Sequence, residues 1–315
     1  MVSFVCNICG RHNQVEHFAT EPATCACGSN VRIRALIHLL SLEIFGESFP
    51  LVDFPVLKSI RGLGMSDQQG YASLLAEKFD YTNTFYDREP RVDFTAPHPE
   101  LYGTCHFILS ADVLEHIAPP VERALEEVCR LLKPNGFFGI TVFCNRSDNL
   151  REHFPNLHTY RTVPLGESVV LINRRADGGL EIHDQLVFHG GTGATLEMRE
   201  YGATALRSQL LSAGFRDVQL LTENIPAAGI IFDADVSQPL IARKEPFAPG
   251  KAVVRELLGQ FQSHHLELTD RLDAAQSETT RLLHECSTLR AQIQMASESR
   301  WLKLGRKLGL GPDFS

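Results

Sequence analysis

Four of the eight cysteines crowd the first 27 residues, as Cys6-x2-Cys9 and Cys25-x-Cys27-Gly28. Four thiolates in two close pairs suit a tetrahedral zinc ion, because a short gap lets both sulfurs of a pair reach one metal. Gly28 allows the sharp turn a knuckle needs. The head has too few apolar residues to fold around a core of its own. Structural Zn2+ on Cys6, Cys9, Cys25 and Cys27 is therefore expected to supply the missing stability. Cys105, Cys129, Cys144 and Cys286 are scattered singly and read as small core residues.

Three further segments could carry chemistry. Arg61-Gly62-Leu63-Gly64-Met65-Ser66-Asp67 falls between a strand pattern and a helix pattern. A loop there lets backbone N–H groups and a helix N-terminus approach a polar ligand. Ser66-x-x-Gln69 reads as a capping box at the helix start. Asp87, about twenty residues later, is placed to accept hydrogen bonds from a ribose, and Asp93 competes for a role nearby. The apolar run from His106 ends in Asp112-Val113-Leu114-Glu115-His116. In an open α/β sheet the ligand crevice lies at the carboxyl ends of strands, where Asp112, Glu115 and His116 would sit.

The elements that must position these residues follow from periodicity. Short β-like runs recur at Val56–Ile60, Thr82–Tyr86, His106–Ala111, Gly136–Phe143, Val218–Leu221 and Leu240–Arg243. Helical stretches at 31–48, Asp67–Lys78, Pro120–Leu132 and Leu196–Ala213 separate or flank them. The alternation predicts an α/β fold with parallel βαβ units. Val169–Ile172 and Leu186–Phe188 flank Asp177-Gly178-Gly179 and predict an inserted β-hairpin. After Pro249-Gly250, apolar positions from Leu258 to Ala296 keep 3,4 spacing over more than five heptads and predict a coiled coil. The segmentation is a zinc-binding head with the first helix (1–48), a central domain (49–247, insertion about 145–195), the coil (251–299) and a basic amphipathic tail (300–315).

"ADVLEHI" followed by "LLKPNGFFGITV" resembles the fourth and fifth strands of the class I S-adenosylmethionine-dependent methyltransferases. The resemblance covers about residues 50 to 245. It implies a Rossmann-like sheet of seven strands with the last antiparallel. It also implies S-adenosyl-L-methionine as cofactor, contacted by Gly62, Gly64, Met65, Asp87, Asp93, Asp112, Val113 and Glu115. One departure stands out: where the family has an acid shortly before the first glycine, this chain has Lys58, Ser59, Ile60 and Arg61.

The layout is also similar to bacterial methyltransferases of surface-polysaccharide synthesis, which implies a glycan or nucleotide-sugar acceptor and a glycosyltransferase partner. Removing a proton from a sugar hydroxyl suits a base near neutral pKa, and His189 and His116 are the candidates. Phe188-His189-Gly190-Gly191-Thr192-Gly193 would bring backbone close to the acceptor. Two alternatives are an RNA or small-molecule methyltransferase and an inactive scaffold that recruits glycosyltransferases through its coil. Arg32 and Arg34 beside the cysteines favour nucleic acid. The formal net charge of −8 opposes it, since phosphate neutralisation drives such binding. The coil predicts a homo-oligomer through residues 258–296. Trp301, Leu304 and Leu308 share a helical face near Arg300, Lys303 and Lys307, which predicts peripheral membrane contact through 300–310. The first residues lack a secretory pattern, so the expected location is cytoplasmic, with peripheral contact at the inner membrane.

Overall fold

The alternating apolar runs between Leu57 and Arg243 pair into one mixed sheet. A computed structural model describes residues 2–15, 24–145, 148–166, 168–189, 195–232 and 238–309. The main sheet comprises β1 (Leu57–Met65), β2 (Phe79–Thr84), β3 (Cys105–Ala111), β4 (Leu132–Val142), β5 (Asp217–Leu220) and β6 (Gln238–Arg243). Their spatial order is β5-β6-β4-β3-β1-β2. β2, β1, β3 and β4 run parallel, while β6 lies antiparallel to both β4 and β5.

Among the described residues this is six strands, one fewer than the resemblance implies. Beyond β2 the chain makes only a bridge from Phe85 to Arg91 and a single 3-10 turn at Pro99–Leu101. Pro90, Pro97 and Pro99 explain this, because proline has no N–H to donate to a ladder.

Helix α1 (Val31–Phe45) packs on one face of the sheet, with Leu36 against the strand backbone at Gly139. Its N-terminus is capped by Asn30, whose side chain accepts from the Ile33 N–H, and it stops at Gly46 in the left-handed conformation (φ 76°). Helices α2 (Gln69–Lys78), α3 (Val121–Leu131) and α4 (Ala203–Ser212) complete the layers. α4 begins later than the expected Leu196, because Thr195–Leu196 and Arg199–Gly202 are extended and pair elsewhere. The expected capping box does not form: Gln68 occupies the cap position of α2 without a side-chain bond.

The insertion is a three-stranded antiparallel sheet, Thr159–Leu165, Ser168–Arg174 and Leu180–His183. Asp177-Gly178-Gly179 makes the expected turn, with Gly178 at φ 86°. The returning strand is Leu180–His183 rather than Leu186–Phe188, which instead leads into a short ladder of Phe188–His189 with Thr195–Leu196.

The chain divides into two units, Met1–Glu256 and Leu257–Ser315. Helix α5 spans Lys251–Glu298 and is followed by α6, Arg300–Lys307. Cys105, Cys129 and Cys144 are buried as expected, whereas Cys286 is exposed on α5. No helix among the described residues is long and apolar enough to cross a membrane.

Candidate active site and cysteine cluster

The carboxyl ends of the parallel strands open onto a cavity of about 1100 Å³. Strand β1 contributes Met65 and the following Ser66, β2 leads into Phe85 and Tyr86, and β3 contributes Ala111 and the following Asp112. A ligand crevice at this edge is the rule for open α/β sheets. Ser66 (φ 59°) and Asp112 (φ 54°) both adopt the left-handed conformation there. Non-glycine residues pay for that backbone, and such residues collect at ligand clamps.

Of the expected cofactor contacts, Met65, Asp93, Asp112, Val113 and Glu115 line this cavity. Gly62, Gly64 and Asp87 do not. Gly62 and Gly64 lie inside β1 rather than in a loop, and their job is packing. A Cβ on Gly62 would overlap the Phe107 ring, and one on Gly64 would overlap the Tyr81 hydroxyl and the Asp67 carboxylate. Asp87 is exposed, and the acid within the cavity on this side is Asp93, which accepts from the Thr95 N–H and hydroxyl at 2.9 and 2.6 Å. The Lys58–Arg61 segment sits at the other end of β1, where Lys58 Nζ donates to the Ala76 and Phe79 carbonyls at the end of α2. It is several residues from the cavity, so its basic character does not bear on the site.

Arg32, on the first turn of α1, pairs with Asp112 at 2.6 Å. Arg34, on the opposite side of α1, is fully buried and donates to the Gly229 and Ser29 carbonyls. Neither arginine is therefore a free phosphate ligand, which removes the residues that favoured nucleic acid.

Glu115 and His116 sit on a 3-10 turn, Leu114–His116, directly after β3. Returning chain from the insertion clamps this turn: Met198 N–H donates to the Glu115 carbonyl at 2.7 Å, and Arg199 donates to the Leu114 carbonyl at 2.7 Å. His116 Nδ1 lies 2.9 Å from the Leu196 carbonyl, and its Nε2 faces His189 Nδ1 at 3.2 Å. His189 Nε2 in turn meets Glu197 at 2.8 Å, and the other oxygen of Glu197 meets His153 at 2.8 Å. Burial holds the His116 pKa below its ordinary value. Burial, with Asp112 nearby, pushes Glu115 up to about 8. The rest of the glycine-rich stretch, Gly190 to Gly193, lies outside the described residues.

Sequence reasoning missed Arg32, Ser66, Tyr160 and Glu197, all of which line the cavity. Glu197 was hidden inside an expected helix. For Arg32, its position beside a cysteine cluster pointed elsewhere.

The four expected metal ligands converge. The sulfurs of Cys6, Cys9, Cys25 and Cys27 lie within 4.8 Å of one another, with Cys6 to Cys27 at 3.7 Å and Cys9 to Cys25 at 3.5 Å. Tetrahedral zinc with ~2.3 Å bonds puts sulfurs about 3.8 Å apart. A disulfide would need ~2.05 Å, so the spacing fits an ion and not a bridge. Arg34 stands beside Ser29, whose hydroxyl is 3.2 Å from Cys6, so a buried cation lies next to the sulfur cluster.

A methyltransferase domain family model matches residues 61–220. No curated protein matches the chain. Among solved structures, the chain is similar to the citrinin polyketide synthase CMeT domain (17% identity, 71% of this chain and 54% of that one, TM-score 0.40). It thus spans about half of that structure's length. It is also similar to the Burkholderia thailandensis 1,6-didemethyltoxoflavin-N1-methyltransferase (16%, 67% and 78%, TM-score 0.36). A third is an amino pentose methyltransferase from Micromonospora echinaspora (10%, 69% and 92%, TM-score 0.37). With half of its length matched by that model, and its strand-end cavity where such a fold binds ligands, the chain belongs to the methyltransferase-domain family.

Proposed function

We propose that this methyltransferase uses S-adenosyl-L-methionine to O-methylate a sugar or polysaccharide hydroxyl in cell-surface glycan synthesis. The cavity is large enough for a cofactor and an acceptor together. Met65, Asp93, Asp112 and Val113 would hold the cofactor, whose sulfonium supplies an electrophilic methyl group.

The observation that carries the acceptor reading is the histidine pair in the same cavity. His116 Nδ1 donates to a carbonyl and His189 Nε2 to a carboxylate. The two remaining nitrogens face each other at 3.2 Å, with room for one positive charge between them. Such a pair suits removal of a hydroxyl proton. Glu197 fixes the His189 ring, and the Leu196 carbonyl fixes His116. The walls that would meet the acceptor come from Tyr160 in the insertion and from Glu197 just after it.

The remaining parts of the reading are structural zinc on the cysteine cluster, a homo-oligomer through residues 258–296, a glycosyltransferase partner, and a cytoplasmic location with peripheral contact at the inner membrane through 300–310. Exposed Trp301, Leu304 and Leu308 support that contact.

The test is calorimetric titration with S-adenosylhomocysteine, then methyl transfer to nucleotide sugars and oligosaccharides. One site per chain, lost in Asp93→Ala, is expected. A folded, zinc-loaded protein that binds none overturns the reading in favour of a scaffold.

A further inference from the structure

Glu115 is the least satisfied group in the cavity wall. It is 1% exposed, and no other residue donates a hydrogen bond to its carboxylate oxygens. A buried carboxyl without partners is costly, so this one calls for an explanation, and a bound ion is one. Its neighbours include His116 and His189. One ligand atom each from Glu115, His116 and His189 lies within 4.8 Å of the others.

The second ring nitrogens settle what faces the gap. Metal-bound histidines almost always donate their other N–H to a carboxylate or a backbone carbonyl, which fixes the tautomer. His189 has Glu197 in that role and His116 has the Leu196 carbonyl. With those protons committed, two lone pairs meet at 3.2 Å, and they need a cation between them. A shared proton would satisfy the nitrogens but leave Glu115 without a partner. A metal satisfies all three. Two nitrogens bound at ~2.1 Å and roughly right angles to one ion stand about 3.0–3.4 Å apart, which brackets the observed separation.

We propose that Glu115, His116 and His189 form a divalent-metal site in the cavity. Two imidazoles and one carboxylate select borderline ions such as Zn2+, Co2+, Ni2+ or Fe2+ over Mg2+ and Ca2+. Three protein ligands leave coordination positions open toward the cavity. The chemical class of ligand that fits those positions is a pair of neighbouring oxygens, such as vicinal hydroxyls. This rests on the reading above that the acceptor enters beside the histidines. An ion there would lower the pKa of the acceptor hydroxyl, whose proton would pass to water in the cavity, and the histidines would act as its ligands in place of taking that proton themselves. Glu197, tied to both His189 and His153, is a positioning residue: it acts on the metal through the His189 ring.

The experiment is Co2+ titration of the full, zinc-loaded chain, without cofactor or acceptor, followed by calorimetry and visible absorption. The expected result is one Co2+ per chain with weak nitrogen/oxygen-type bands and no thiolate charge transfer. Affinity should fall at least 100-fold in His189→Gln and Glu115→Gln, and 10- to 100-fold in Glu197→Gln. Glu197→Gln carries the test if a ligand variant fails to fold. No Co2+ beyond the cysteine cluster, or an affinity indifferent to these variants, overturns the site. Co2+ bound as expected by a protein that fails to bind S-adenosylhomocysteine upholds the site and overturns only the functional reading. Glycan methylation by a protein that binds no Co2+ does the reverse.

Discussion

Arg32 and Asp112 meet at 2.6 Å, joining the helix that follows the cysteine cluster to the end of the central strand β3. Both side chains are about one-fifth exposed, so the pair is largely shielded from water. Removing one member leaves a charge without its partner. Asp112 also holds left-handed backbone (φ 54°) and accepts from Thr141, so it depends on its surroundings. Arg32→Met is expected to lower stability by about 1–3 kcal/mol, discounted from the 3–5 typical of fully buried pairs. It should also weaken S-adenosylhomocysteine binding. Denaturant unfolding and calorimetry check both; unchanged affinity would show that the pair is not part of the ligand site.

The same helix couples the cysteine cluster to the cavity. Asn30 caps α1 just after the cluster, and Arg34 ties the cluster's Ser29 to Gly229. Cys9→Ser, or stripping with a strong chelator, is expected to release zinc, lower the unfolding temperature and reduce affinity at the Arg32–Asp112 end of the cavity. Zinc release followed by colorimetric dye, alongside thermal unfolding, reads this. A chelated protein with unchanged unfolding temperature would mean the head is not held by metal.

Gly62 gives a sharp contrast between packing and binding. A side chain there meets the Phe107 ring, which is itself stacked between Tyr81 (5.8 Å) and Phe137 (5.9 Å) and cannot swing aside cheaply. Gly62→Ala is therefore expected to cost about 1–3 kcal/mol of stability. The folded fraction should retain its ligand affinity, because residue 62 does not line the cavity. A variant of full stability that cannot bind would restore Gly62 to the site.

These cases show which features the sequence reveals. Strand identity was legible because buried parallel strands read as apolar runs. Asp112, Glu115 and His116 were legible because polarity returns abruptly where β3 ends. The end of β1 was not: Gly62 and Gly64 look like a phosphate loop, yet the strand runs on to Met65, and Ser66 takes the left-handed backbone usually given to glycine. Asp87 looks the better placed acid because an ordinary second strand would end there. This one ends at Thr84, and a proline-rich segment returns the chain past Asp93. Arg32 and Glu197 reach the cavity from distant parts of the chain, and periodicity carries no signal for such meetings.

Asp67 makes stability depend on pH. It stands just after β1, buried, and accepts from the Tyr81 hydroxyl. Burial pushes its pKa up to about 6. The unfolded chain titrates near 3.9, so the folded state holds the proton more tightly between about pH 4 and 6. Its contribution is present below that window and is lost as pH rises through it. Asp67→Asn, which keeps the shape and the acceptor for Tyr81, should flatten this slope and stabilise the protein at pH 7 by about 2 kcal/mol. Urea unfolding at pH 4.5 and pH 7 distinguishes the two; parallel losses in both proteins would exclude Asp67 as the source.

Leu258, Leu268, Leu272, Leu282, Leu289 and Ile293 are all exposed on one continuous helix and all belong to the 3,4-spaced set. A single long helix gains nothing from such a row in water. Two or more copies would bury it, and each leucine covered would contribute about 1.5–3 kcal/mol. Thr279 and Cys286 interrupt the row, so the middle of the seam is weaker than its ends. Arg281 instead joins Glu278 and Glu285 on its own helix, which supports the helix locally without choosing a partner. Sedimentation at micromolar concentration should therefore show a dimer or trimer. Leu268→Asp combined with Leu272→Asp places like charges in adjacent core layers and should return the chain to a monomer. A wild-type monomer at that concentration would leave the seam to a different protein.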